Sequence, residues 1–83
     1  MEEKIGKVFK YFKKPSVAAI KIDKGKLSIG DKVRFEGENT DFEQEITSME
    51  IDGDEVEQVE PGDEVGIKVD SRVRPNDDLI KLG

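Results

Sequence analysis

Residues 40–52, TDFEQEITSMEID, look like one long β-strand in which the apolar residues change phase halfway. Phe42 and Ile46 occupy even positions, whereas Met49 and Ile51 occupy odd positions. Successive side chains of a strand point to opposite faces of a sheet, so a regular strand cannot bury both pairs on one side. The stretch therefore requires either an irregularity in the strand or an exposed Phe42.

A β-bulge near residues 47–48 is the predicted irregularity. A bulge inserts one extra residue and bends the strand, so that apolar residues on both sides of it can face the same core. Closing a sheet into a barrel demands bends of this kind. The alternative is that Phe42 is simply exposed and that the strand contains no bulge.

The rest of the chain also alternates apolar and polar residues, and no segment has the period of a helix of useful length. Pro15 interrupts the first pair of strands, because proline cannot donate to a ladder. Asp52 and Gly53 lie between two strand patterns and predict a two-residue hairpin turn. The predicted strands span residues 5–12, 16–22, 32–36, 42–51, 54–59, 64–69 and 79–82.

One short unit occurs three times, as LSIGDKV (27–33), VEPGDEV (59–65) and VRPNDDL (73–79). Pro presets the backbone for the first central position of a turn, and Gly or Asn accepts a positive φ at the second. The Asp that follows can accept hydrogen bonds from nearby backbone N–H groups. The final apolar residue then starts a strand that points inward. Three such corners predict an all-β fold, a small closed antiparallel barrel.

The 83 residues form one predicted domain, residues 1–83. A domain of this size buries roughly 60–65% of its unfolded surface, so we expect a small core and no large catalytic cleft. The predicted core residues are Val8, Ala18, Ile20, Ile22, Leu27, Val33, Phe35, Ile46, Met49, Ile51, Val56, Val65, Ile67, Val73, Leu79 and Leu82.

The composition argues against independent catalysis. Histidine and cysteine are absent, which removes the commonest general base, thiolate nucleophiles and the usual zinc ligands. No G-x-x-x-x-G-K-[ST] loop occurs that could cradle nucleotide phosphates. We therefore predict a protein that is not an enzyme and that binds no cofactor, metal or nucleotide.

No apolar run approaches the roughly 20 residues needed to span a bilayer. The N-terminal MEEKIGKVFKYFKK also lacks the apolar core of a signal peptide. We expect a cytoplasmic protein that does not associate with membranes. We also expect a monomer, because charged residues on strand edges discourage pairing between copies.

Charge is distributed unevenly along the chain. Residues 1–34 carry a net charge of +6, residues 35–67 carry −13 with no Lys or Arg, and residues 68–83 carry +1. One interpretation is that basic strands lie beside acidic strands, so that cross-strand pairs each contribute a few tenths of a kcal/mol. The other is a bipolar surface whose basic and acidic faces meet different partners.

Four segments together resemble the second domain of elongation factor Tu-type translation factors, and the resemblance covers residues 4–82. It is carried by IGKVFKYFKKPSVAAIKI (5–22), GKLSIGDKVRFEG (25–37), TDFEQEITSMEID (40–52) and VEPGDEVGIKVD (59–70). Small stand-alone translation elongation factor-like proteins share these segments. The same module also resembles the C-terminal module of some collagenase-like peptidase-family proteins. The resemblance implies a closed antiparallel barrel of six to seven strands, without the GTPase domain or third barrel of the full factors.

The first functional hypothesis is a module that contacts RNA, namely tRNA or a ribosomal component. Basic residues can contact phosphates and aromatic rings can stack on unpaired bases, and both kinds of residue are interleaved in residues 4–14. The overall acidity of the chain opposes this hypothesis. The predicted RNA-binding residues are Lys7, Lys10, Tyr11, Lys13, Lys14, Arg72 and Arg74.

The alternative hypothesis is an adaptor that docks onto a larger enzyme, such as a peptidase-family protein. The acidic half of the chain suits a basic partner, and its charges should act mainly on association rate and specificity. The predicted protein-docking residues are Glu43, Glu45 and Glu57.

Overall fold

The computed structural model describes residues 2–83, which form an all-β fold of antiparallel strands. Among these residues there is no helix long and apolar enough to cross a membrane. The strands are β1 (Glu3–Phe12), β2 (Val17–Ile22), β3 (Leu27–Ser28), β4 (Lys32–Gly37), β5 (Thr40–Glu45), β6 (Met49–Ile51), β7 (Asp54–Glu55), β8 (Gln58–Val59), β9 (Glu64–Lys68) and β10 (Asp78–Lys81).

Eight strands form one sheet in the order β5-β4-β10-β1-β2-β9-β6-β7, and β3 pairs with β8 in a separate sheet of two strands. Every pair is antiparallel. Within residues 2–83 no hydrogen-bonded ladder joins β5 to the other end of the sheet. The all-β prediction is confirmed, whereas the predicted closure into a barrel of six to seven strands is not.

The stretch 40–52 is divided between two strands rather than bulged. β5 ends at Glu45 and pairs with β4, whereas β6 begins at Met49 and pairs with β9 and β7. The predicted bulge at residues 47–48 is therefore wrong. The apolar phase changes because the chain leaves one end of the sheet and joins strands near the other. Phe42 is half-buried and stacks on Phe35, with ring centroids 5.3 Å apart.

The side chain of Gln44 links β5, at one end of the large sheet, to the C-terminal end of β9, two strands from the other end. Its Nε2 donates to the carbonyl oxygen of Lys68 at 2.8 Å, and the backbone N–H of Asp70 donates to its Oε1 at 2.7 Å. The next residue but one, Ile46, exchanges backbone hydrogen bonds with Gly30 and Asp31, each 2.8 Å long. The sheet therefore curls, and an amide side chain bridges the position where a ladder would close it.

The three predicted corners share one geometry and are confirmed. Their second central residues have φ values of 95°, 96° and 79°, at Gly30, Gly62 and Asn76 respectively. The next residue accepts a hydrogen bond of 2.8–2.9 Å from the backbone N–H three positions earlier, at Asp31, Asp63 and Asp77. The apolar residue that follows each corner is buried, at Val33, Val65 and Leu79.

The predicted hairpin turn is also confirmed. Asp52 and Gly53 have φ values of 52° and 84°, and Ile51 pairs with Asp54 across the turn. Positive φ at both central residues is the hairpin geometry that matches the twist of the flanking strands. The predicted strand 54–59 is divided, however, because β7 and β8 lie in different sheets.

The predicted core is buried apart from Ile51, Val56 and Leu82, which are half-buried. Alternation identifies most of the core, because one face of each strand turns inward. Residues that the prediction omitted are also buried, namely Ile5, Val59, Val69 and Ile80.

Candidate docking groove

A register shift in β1 creates an exposed aromatic surface. Val8 pairs with Ile20 and Lys10 pairs with Ala19, so Phe9 is an extra residue between them. A bulge of this kind changes which side chains point outward. As a result Phe9 is 50% exposed and Phe12 is 42% exposed, whereas Tyr11 packs against the core.

Small residues beside these rings leave a groove on the outward face of β1, β2, β9 and β6. Ala19 of β2 lies opposite Gly66 of β9 in the ladder. A Cβ placed on Gly66 would lie 3.2 Å from Val17 Cγ1, so glycine keeps this part of the surface low. The groove has a volume of about 560 Å³. We call Val17, Ala19 and Gly66 the floor. We call Phe9 and Phe12 the aromatic wall, and Pro15 lies beside it.

The opposite side of the groove is acidic. It is lined by Glu50 of β6, Asp52 of the β6–β7 turn and Glu64 of β9, which we call the acidic rim. Within residues 2–83 none of the rim carboxylates forms an ion pair within 4.0 Å, although Lys21 lies opposite Glu64 in the ladder. The basic residue of the groove, Lys10, has its Nζ 5.0 Å from the centroid of the Phe12 ring. The groove therefore carries an excess of negative charge.

The predicted RNA-binding residues lie on two chain segments that meet at one end of the fold. Lys7 and Lys10 are exposed on β1, and Lys13 and Lys14 are exposed in the β1–β2 turn. The exposed residues Arg72 and Arg74 belong to the segment 69–77.

This segment begins where Val69 donates a backbone hydrogen bond of 2.9 Å to Ser16. It returns to β1 where Asn76 donates one of 2.7 Å to Val8. The half-buried Tyr11 presents less ring surface than the bulged Phe9 does, because it packs on the core.

The predicted protein-docking residues lie in two places. Glu43 and Glu45 are exposed on β5, directly opposite Arg34 and Lys32 of β4. Glu57 lines a cleft of about 360 Å³, which Thr47 of the β5–β6 connection also lines.

Arg34 is already engaged by other carboxylates. It lies 2.5 Å from Glu2 and 3.3 Å from Glu36. The hydrogen bond that Arg34 donates to the Glu2 carboxylate is the main cause that raises the pKa of Arg34. Arg34 therefore forms no ion pair within 4.0 Å with Glu43, although the two residues lie opposite each other in the ladder.

The floor and the acidic rim were not identified from the sequence. Val17 and Ala19 alternate with buried residues of β2, so an apolar outward face was a signal that the sequence did contain. The alignment of Ala19 with Gly66, and of the β6–β7 turn with both, depends on how distant strands pair.

The groove suits binding rather than catalysis. Residues 2–83 contain no group of three or more metal-ligating side chains arranged to hold an ion. The groove offers apolar surface, a rim of carboxylates and backbone, and no catalytic role is shown for any of these residues. The fold and the groove together define a small all-β domain with an apolar groove and an acidic rim.

No family model matches this chain. It is 33% identical over 79 residues to a collagenase of Porphyromonas gingivalis, which covers 94% of this chain and 22% of the collagenase. It is 37% identical over 79 residues to an uncharacterized protease of Methanocaldococcus jannaschii, which covers 94% of this chain and 19% of the protease. The chain thus spans about a fifth of the length of these curated relatives.

The fold is similar to the C-terminal domain of a U32 peptidase from Geobacillus thermoleovorans. The TM-score is 0.90 at 25% sequence identity, over 98% of this chain and 93% of that domain. The resemblance to a collagenase-like C-terminal module is therefore supported, and the resemblance to the second domain of elongation factor Tu is not shown.

These similarities correct the first functional hypothesis. They point to a domain of U32 peptidase and collagenase-family proteins, and not to a translation factor or an RNA-binding module. The groove gives a physical reason, because the exposed rings of Phe9 and Phe12 face a rim of unpaired carboxylates. Such a rim repels the phosphates of a nucleic acid.

Proposed function

We propose that this chain is a non-catalytic docking module that binds a larger protein of the peptidase family. Its similarity to a domain of such a peptidase, over nearly all of both chains, supports a role as a separate part of a larger assembly. The absence of histidine and cysteine from the sequence is consistent with a role in binding.

The observation that carries the proposal is the exposure of the aromatic wall. Phe9 and Phe12 are the most exposed aromatic residues of the part described, although the core around them is small and well filled. Removing apolar surface from water contributes about 25 cal/mol per Å². A partner that covers both rings and the floor therefore gains affinity that the isolated chain leaves unused.

We expect three exposed glutamates to act on association with the partner and not on the stability of the complex. These are Glu43, Glu45 and Glu57. Their carboxylates are exposed, and Glu43 and Glu45 lie opposite basic residues of β4. Exposed charges of this kind steer encounters and act on association rate. We expect the three glutamates to attract a basic partner, and the groove to determine how long it stays.

The proposal can be tested with the Porphyromonas gingivalis collagenase from which the 79 matched residues have been deleted. We call this shortened protein the deleted collagenase, and we expect this chain to bind it with measurable affinity in isothermal titration calorimetry. The intact collagenase is the matched control, and it should bind more weakly because its own module occupies the docking surface. Circular dichroism establishes that the deleted collagenase stays folded.

Two variants locate the binding surface. Phe9→Ser with Phe12→Ser should weaken binding at least tenfold, whereas Ile29→Ser, at a residue of similar exposure outside the groove, should not. Reversal of Glu43, Glu45 and Glu57 to Lys should slow association without changing dissociation. Absence of binding to the folded deleted collagenase would overturn the proposed function.

A further inference from the structure

We infer that the groove binds a segment of a partner protein in which a large apolar side chain lies beside Lys or Arg. The inference rests on the proposed docking function and specifies the chemistry of the partner. Three features of the groove lead to it: the floor of small residues, the unpaired acidic rim, and the placement of the aromatic wall and the rim on opposite sides of that floor.

The floor accommodates an apolar side chain. Ala19 and Gly66 lie opposite each other between the exposed rings and the β6–β7 turn. A groove of about 560 Å³ falls within the range of roughly 300–1,000 Å³ that ligand pockets occupy. The aromatic wall supplies apolar ring surface of the kind enriched where proteins bind one another.

The rim determines the sign of the charge that lies beside that apolar side chain. Glu50, Asp52 and Glu64 line the groove against a single basic residue, Lys10, which lies over the Phe12 ring. No ion pair within residues 2–83 neutralises the rim. A basic side chain of the partner therefore finds carboxylates that are not already paired.

The same charges favour a polypeptide over other occupants. Nucleic acids carry a phosphate at each step and would meet the acidic rim with like charge. A second copy of this chain is the remaining occupant, and dimer formation through the groove would overturn the inference.

The test uses a display library of random linear peptides selected on the full chain. The counter-selection uses Ala19→Leu, which fills the floor, and Phe12→Ser serves as a second groove variant at an exposed residue. We expect enriched peptides to carry a large apolar residue within two positions of Lys or Arg. Their affinity should fall at least tenfold for both groove variants, measured by fluorescence anisotropy.

Reversal of the rim separates charge recognition from loss of structure. Glu50→Lys with Glu64→Lys should lower the affinity for basic peptides at least tenfold and should select acidic peptides instead. The matched control, Glu38→Lys with Asp41→Lys at two exposed residues on the β4–β5 side, should change affinity less than twofold. A merely structural role of the rim could not invert the preference.

Several outcomes would overturn the inference. These are the absence of enriched peptides, enrichment of acidic peptides by the unmodified chain, indifference to the rim reversal, or a dimer in light scattering that Ala19→Leu abolishes. If the deleted collagenase binds but Ala19→Leu and Phe12→Ser leave its binding unchanged, only the inference about the groove is wrong. If the enriched peptides bind but the deleted collagenase does not, the proposed peptidase-family partner is wrong instead.

Discussion

The outward faces of two strand pairs in the same sheet are built differently. On β4 and β5, Lys32 lies opposite Glu45 and Arg34 lies opposite Glu43. On β1 and β2, the outward pairs nearest the turn are Phe12 with Val17 and Lys10 with Ala19. One face carries charged side chains across the ladder, including the like-charged pair Glu36 and Asp41, whereas the other exposes rings and small apolar side chains.

The difference shows which face is suited to water. Charged side chains remain well hydrated, so the β4–β5 face exposes little apolar surface for a partner to cover. The β1–β2 face leaves Phe9 and Phe12 exposed beside a floor of small residues. Apolar surface of this kind gains free energy when another molecule covers it. The bulge at Phe9 is the local cause, because it places Phe9 and Lys10 on the outside.

The largest effect on stability is expected at Gln44, which links β5 to the C-terminal end of β9. Gln44→Ala removes both hydrogen bonds and leaves Lys68 O and Asp70 N without their partner. Both bonds are part-buried, and an unpaired group costs about 1–3 kcal/mol, so we expect a loss of about 2–4 kcal/mol in urea unfolding.

The neighbouring Glu43→Gln serves as the control for Gln44→Ala, because Glu43 is exposed on the same strand. It should change the free energy of unfolding by less than about 0.5 kcal/mol. If the two variants were equally stable, the hydrogen bonds of Gln44 to the end of β9 would not stabilise the fold.

Asp77 should have the next largest effect, because it is the most buried of the three corner carboxylates. It is 4% exposed, and it accepts a hydrogen bond of 2.8 Å from the backbone N–H of Arg74. Asp77→Ala should cost about 1.5–3 kcal/mol, as expected for a hydrogen bond to a charged group. Asp63→Ala, at a half-buried corner, should cost less, and the reverse order in thermal unfolding would contradict this account.

The double variant Phe9→Ser with Phe12→Ser tests whether the β1–β2 face serves a partner or the fold. Because both rings are about half exposed, we expect the unfolding free energy to change by less than about 1 kcal/mol. Binding of the deleted collagenase should nevertheless weaken at least tenfold in calorimetry. A large loss of stability with unchanged binding would show that the rings serve the fold and not a partner.

The smallest effect is expected on the charged face. Glu45→Lys places like charges opposite each other across the β4–β5 ladder, at Lys32. A cross-strand pair of this kind contributes about 0.2–1 kcal/mol, and salt screens it. The loss should therefore shrink between low and high salt in chemical denaturation. A loss that does not respond to salt would mean that Glu45 contributes through packing and not through charge.

Local features of this fold could be predicted from the sequence. Each corner is determined by four consecutive residues, so Pro61 and Gly62, or Pro75 and Asn76, already specify the turn. The Asp52–Gly53 hairpin is local for the same reason. The buried faces of the strands also follow from alternation along single strands.

Features that depend on distant pairing could not be predicted in the same way. The phase change in residues 40–52 looks the same for a bulge as for a change of partner strand, and only the pairing of β6 with β9 distinguishes them. The groove has the same origin, because Ala19 and Gly66 become neighbours only through the β2–β9 register. An interleaved run of lysines and aromatics also indicates nucleic-acid binding until the acidic rim is seen beside it.

The most direct test of the docking groove maps the contact on both faces at once. In ¹⁵N–¹H spectra of this chain titrated with the deleted collagenase, we predict chemical-shift changes at Phe9, Phe12, Ala19 and Gly66. The amides of the β4–β5 face should keep their positions. Changes confined to β4 and β5, or spectra that the folded collagenase leaves unchanged, would contradict the account.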